Sequence, residues 1–116
     1  MSIKRLSPAG HLAHAVVHNG VAYISGQVPD DTGQDVEGQT QQVLTKIERH
    51  LQSAGTDKSR LLSANIWLKD IRDRDRLNAI WIPWIGSDLC ARVCVQAELA
   101  KSEMLVEIAV VAAVGD

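Results

Sequence analysis

Phenylalanine is absent from this chain, and its aromatic residues are one tyrosine and three tryptophans: Tyr23, Trp67, Trp81 and Trp84. The core must therefore be built on Val, Ile, Leu and Ala. Neither sign of charge is in surplus. Twelve Lys and Arg stand against fourteen Asp and Glu, a formal charge of −2. That balance leaves no electrostatic footprint for a nucleic-acid partner. Long apolar runs are missing too. Residues 108–114 form the longest, seven residues against the ~20 that a membrane span needs. The opening MSIKRLSPAG has no apolar stretch, so no secretory leader is expected. Only two cysteines occur, Cys90 and Cys94, four apart in an extended-looking segment. A strand would hold their Cα atoms ~13 Å apart, beyond disulfide reach. Both are expected as reduced thiols, in keeping with the cytoplasm.

What is present suits one domain over residues 1–116. A folded chain of 12.6 kDa should expose roughly 6,200 Å², against about 18,000 Å² when extended. That is enough burial for one modest core. No linker-like stretch and no internal repeat divides it. Asn19-Gly20 lies between two β-type runs, Ala13–His18 and Val21–Ile24, and supplies the two positive-φ residues of a type I′ hairpin turn. A short strand around Ile3–Leu6 should precede it. Ser25-Gly26-Gln27 should end the hairpin, and 29–35 reads as a loop. Val36, Val43, Leu44, Ile47, Leu51 and Ala54 fall on one helical stripe, with Asp35 as cap and Gly55 as terminator. Leu61–Leu68 is the next strand. Leu77, Ile80, Trp81 and Trp84 mark a second helix, which Pro83 should kink or stop. Strands Arg92–Leu99 and Leu105–Ala113 close the chain. The order β-β-β-α-β-α-β-β predicts an α+β domain, one mixed sheet with two helices on one face. Periodicity leaves the strand order open, a ferredoxin-like arrangement included.

Two charges stand where charges are costly. In Arg92–Leu99, Val93, Val95, Ala97 and Leu99 share one face, expected to pack on the helices. Arg92, Cys94, Gln96 and Glu98 share the other. Glu107 is the one charged residue between Leu105 and Val114, and a carboxylate there needs a partner or a wet pocket. Arg92, expected on the neighbouring strand, is the candidate to share its space. The pair reads equally as a structural ion pair or as chemistry. A guanidinium can grip a small 2-keto or 2-imino acid bidentately. A carboxyl group raised in pKa by an apolar strand can activate water or donate a proton.

Other clusters carry less. His11, His14 and His18 invite a metal reading, but His14 and His18 on a strand stand ~13 Å apart, too far for one zinc. No metal site is expected, and His50 should sit idle on the polar side of its helix. Cys94 has no identifiable acid–base partner, so it reads as a small hydrophobe rather than a nucleophile. Lys69–Arg76 alternates in sign, as a solvated loop and helix start does. No P-loop, GxGxxG, paired CxxC or GxSxG occurs.

The chain nevertheless resembles a known family over nearly its whole length: the Rid family (reactive intermediate deaminases, RidA/YjgF-like). The resemblance runs through His14-Ala15, Asn19-Gly20, Ile24-Ser25-Gly26-Gln27-Val28-Pro29, Ser53-Ala54-Gly55, Leu68-Lys69-Asp70, Asn78, Ala91-Arg92-Val93-Cys94-Val95 and Val106-Glu107-Ile108. The segment from Asn78 to Ala97 and the closing Val-Ala-Ala-Val look most like the YoaB-like branch. The resemblance implies a chorismate-mutase-like α+β fold, a homotrimer with three clefts between subunits, and hydrolysis of 2-imino acids or their enamines, such as 2-iminopropanoate and 2-iminobutanoate, to 2-keto acids and ammonia. It implies no metal or organic cofactor. Relatives carry a ribonuclease label, but the near-neutral charge argues against nucleic acid, and the short apolar runs against a membrane. Arg92 matches the arginine that holds the substrate carboxylate, and Glu107 the glutamate that positions water. Cys94 matches a residue whose backbone contacts the imino group. Ser25 and Gly26 match the loop at the cleft, and Asn78 an asparagine near it. The chain departs from the pattern at Leu12, where an aromatic is common, at Cys90, where a proline is usual, and in a shorter 78–92 segment. A non-catalytic binder of carboxylate metabolites is the alternative on the same fold.

Overall fold

The computed structural model describes residues 2–115. Its strands are β1 (Lys4–Pro8), β2 (Ala13–His18), β3 (Val21–Gln27), β4 (Leu61–Leu68), β5 (Ala91–Gln96) and β6 (Val106–Ala113). Its helices are α1 (Val36–Ser53) and α2 (Arg74–Ile85). All six strands join one sheet in the order β1-β2-β3-β6-β4-β5. The sheet is mixed: β4 and β5 run parallel, and every other pair is antiparallel. Both helices lie on one face. The shortest dimension is 19 Å, the thickness of one sheet layer and one helix layer.

Local chemistry explains the elements. Asn19 and Gly20 turn the β2–β3 hairpin with φ of 52° and 74°, the type I′ signature. Asp35 caps α1, its Oδ1 accepting from the Gly38 N–H at 3.0 Å, and Gly55 at φ +85° releases it. The predicted stripe of α1 is buried, and it packs on Ile24, Ile66, Val106, Ile108 and Val110 of the sheet. Gln39 is a polar member of that buried side. Its Nε2 donates to the Glu103 carbonyl at 3.0 Å, and its Oε1 accepts from the Leu105 N–H at 2.8 Å. Gln39 therefore fastens the segment that leads into β6.

Three expectations need correction. Pro83 does not stop α2, which runs two residues further to Ile85. Proline deletes one late hydrogen bond there, and Gly86 closes the helix by donating to the Ile82 carbonyl at 3.2 Å. β3 does not end at Ile24. It continues to Gln27 through a bulge, because Ile24 pairs with Val110 and Gln27 with Ile108, so Ser25 and Gly26 together oppose one residue of β6. β5 ends at Gln96, and its faces are inverted relative to expectation. Arg92 pairs with Ala64 and Cys94 with Ile66, both buried under the helices. Val93 and Val95 share the opposite face with Asn65 and Trp67 and are 54% and 47% exposed. Alternation defines two faces of a strand but not which one a helix covers.

Candidate functional site

The two charges singled out in the sequence do not meet. β4 lies between β5 and β6. Glu107 pairs with Trp67, on the face without helices, whereas Arg92 pairs with Ala64, on the helical face. Register partners point to the same side of a sheet, so the two side chains leave it in opposite directions. Two strand spacings separate them laterally, roughly 10 Å. The expected intrachain ion pair is absent among the described residues. Each charge instead anchors its own cluster.

The first cluster is cationic. Arg92 Nη1 donates to Asn78 Oδ1 on α2 at 2.8 Å. Its Cζ lies 5.4 Å from the centroid of the Trp81 ring, within cation–π range. A guanidinium has five N–H donors, and among the described residues Arg92 uses one. Cys94 extends from the same face of β5. Burial pushes its thiol pKa up, and the Arg92 charge pulls against that. Both cysteines are free and half-buried.

The second cluster is acidic. Glu107 is half-buried, and desolvation raises its pKa above the ordinary glutamate value. Its carboxylate lies over the β3 bulge. A Cβ added to Gly26 would come within 2.1 Å of Glu107 Oε2, so only glycine leaves that carboxylate its place. The neighbouring hydroxyl of Ser25 is occupied, donating to the Ala13 carbonyl at 2.6 Å. Gln27 braces the bulge from behind. Its Nε2 donates to the Ser25 carbonyl at 2.9 Å and lies 3.2 Å from His14 Nδ1.

The structure thus groups Asn78, Arg92 and Cys94 on one side, and Ser25, Gly26 and Glu107 on the other. Two grooves of the chain lie away from both clusters. One of about 520 Å³ is lined by Lys69, Gln96, Glu98 and Lys101, among others, and includes neither Arg92 nor Glu107. Sequence reasoning missed Trp81 as a neighbour of Arg92, although Asn78 and Trp81 at i and i+3 share a helix face. It also missed the histidines. His50 is not idle: its ring stacks on His14 with centroids 4.7 Å apart and planes at 13°. Burial lowers the His50 pKa, and His14 adds to the effect. No group of three metal-ligating side chains forms among the described residues. Among the same residues, no helix is long and apolar enough to cross a membrane.

Comparison with known proteins defines the class. The family model described as Endoribonuclease L-PSP matches residues 2–114, and the chain belongs to this family, whose members also carry the names RutC, YjgF and Rid. A RutC family protein of Haemophilus ducreyi is 36% identical over 97% of both chains. The RutC family protein YoaB of Escherichia coli is 35% identical over 98% of this chain and 100% of its own. Among solved structures, a YjgF-family member from Neisseria meningitidis superposes with a TM-score of 0.96 at 37% identity, covering 100% of this chain and 98% of that one. The mixed six-stranded sheet with two helices on one face is the fold of these relatives.

Proposed function

We propose that the protein is a cytoplasmic, cofactor-independent imine deaminase. It would hydrolyse small 2-imino acids and their enamines, such as 2-iminopropanoate and 2-iminobutanoate, to 2-keto acids and ammonia. The observation that carries this reading is the presence of a guanidinium with free N–H donors and a half-buried carboxyl whose pKa is raised by burial, on opposite faces of one sheet. One chain cannot apply both groups to a molecule of a few carbons. Two copies can. The helix-free face adds a reason for association, since Tyr23, Val93 and Val95 leave it apolar and about half exposed. A homotrimer, in which Arg92, Asn78 and Cys94 of one copy face Ser25, Gly26 and Glu107 of the next, makes three complete clefts.

In such a cleft Arg92 grips the substrate carboxylate and draws charge away from C2. Glu107, as carboxylate, takes a proton from water as the oxygen adds to C2. The same group, now protonated, gives that proton to the nitrogen, leaving a carbinolamine. It then takes the hydroxyl proton of the carbinolamine and passes it to the nitrogen as the C=O bond forms, the C–N bond breaks and ammonia leaves. Burial raises the Glu107 pKa, which makes its carboxylate a stronger base toward water. The cleft backbone beside Cys94 is the partner for the imino nitrogen. The family's description names an endoribonuclease, but a formal charge of −2 favours a small anionic substrate held by one local cation over a polyanion.

The test couples the protein to an amino-acid oxidase that generates imines in place, with semicarbazide trapping what is left. Wild type should lower semicarbazone formation, and Arg92→Ala should not, while keeping its oligomeric state. Saturable 2-keto acid binding without turnover of any imine would replace the enzyme with the carboxylate binder. Undiminished turnover by Arg92→Ala would overturn the mechanism.

A further inference from the structure

Helix α2 holds the Arg92 guanidinium from two sides. Asn78 takes one N–H, and three residues on, Trp81 lies against the guanidinium with its ring. Trp81 is itself immobilised. It is 5% exposed and packs on Trp84, with centroids 5.2 Å apart and planes at 46°. Trp84 in turn donates from Nε1 to Glu48 on α1 at 3.1 Å. The wall behind Arg92 therefore runs back into the other helix.

We propose that Trp81 is a positioning residue for carboxylate recognition, its ring fixing the Arg92 guanidinium so that the free N–H edge meets the ligand carboxylate in one orientation. The choice of ligand, a small 2-keto or 2-imino acid, rests on the deaminase reading. Arginine is long and loses much rotamer freedom when it is held. Something must hold it before the ligand arrives for the fork to grip bidentately. A carboxylate in this role would neutralise the charge that the ligand needs. An aromatic face orients the cation and leaves both its charge and its outer donors available. Arg92 has this arrangement: one amide acceptor, one ring, and no acidic partner among the described residues.

The test compares binding of 2-oxobutanoate and of its uncharged amide to the assembled protein by calorimetry. Trp81→Leu should weaken the acid about tenfold, from loss of the cation–π contact and of orientation. The amide should change by less than about twofold, because the lost contact serves only the carboxylate. Trp81→Phe, which keeps a ring and core volume, should recover part of the acid's affinity, and it carries the comparison if the leucine variant fails to fold. In the imine assay the loss should appear in KM more than in kcat. Equal weakening of acid and amide would make Trp81 a merely structural residue and overturn the proposal. So would unchanged acid binding in both variants. A wild type that binds the acid in this Trp81-dependent way but turns over no imine would sink the deaminase reading and leave this inference standing.

Discussion

Arg92 and Glu107 leave the same sheet on opposite faces, with β4 between their strands. The first prediction follows from that relationship. Arg92→Ala and Glu107→Gln should each be inactive alone. Co-expressed, they should assemble mixed oligomers in which some clefts pair an intact Arg92 with an intact Glu107 from different copies. Random mixing restores about a quarter of wild-type activity if each site is shared between neighbouring copies of a ring. The rate of the co-purified mixture, against the two parents simply combined without exchange, measures it. No recovery in a mixture shown by mass spectrometry to contain both variants would exclude a shared site.

Gly26 should separate activity from stability. Its added methyl would meet the far end of the Glu107 side chain, not backbone, so the carboxylate can swing away at little cost to the fold. Gly26→Ala is expected to keep its melting temperature within a few degrees and to lose about tenfold or more in kcat, as misplacement of a reacting group does. A variant of normal activity would show that the carboxylate does not act from its position over the bulge.

The stacked histidines predict the direction of an acid response. Burial and His14 lower the His50 pKa in the folded chain, so the unfolded chain binds the proton more readily. Stability from this group is complete above the ordinary histidine value of about 6.5. It falls as pH drops below that value toward the depressed folded one. Urea midpoints between pH 7.5 and 5 should decline in wild type and decline less in His50→Gln. Parallel curves would remove His50 as the cause.

Gln39 is expected to matter for stability though it lies outside both clusters. Replacing it with leucine strands the Leu105 N–H and the Glu103 carbonyl that it serves. A fully buried unsatisfied group costs about 1–3 kcal/mol, and these two are only part-buried, so together they should cost about 1–3 kcal/mol. Chemical denaturation should register a loss in that range, with the imine activity of the folded fraction intact.

Much of this fold was legible because the relevant signals are local. Asn19-Gly20 carries its turn in two residues, and the stripe from Val36 to Leu51 is a helix whatever it packs on. The candidate site was legible only as residues. Nothing in alternation says that β5 is an edge strand parallel to β4, or that Val93 and Val95 face away from the helices. Those facts depend on strand order, which the periodicity of one segment does not contain. The expected contact between Arg92 and Glu107 failed for that reason: two strands next to each other in the chain are separated in the sheet by a third. The bulge was hidden likewise, since Ser25-Gly26-Gln27 reads as a strand end until β6 is laid beside it.

That bulge makes the chemistry easier to lose than the architecture. Ser25 and Gly26 are two residues where the pairing needs one. Loss of a single codon there would return β3 to ordinary pairing, with Gln27 still opposite Ile108 and the loop beyond it unchanged in length. Core positions upstream, from Ala22 to Ile24, would keep their alternation. The seat of Glu107 would be gone. If the proposed deaminase reaction runs here, a lineage carrying this sheet can shed it in one step and keep a stable scaffold, free to be selected for binding instead.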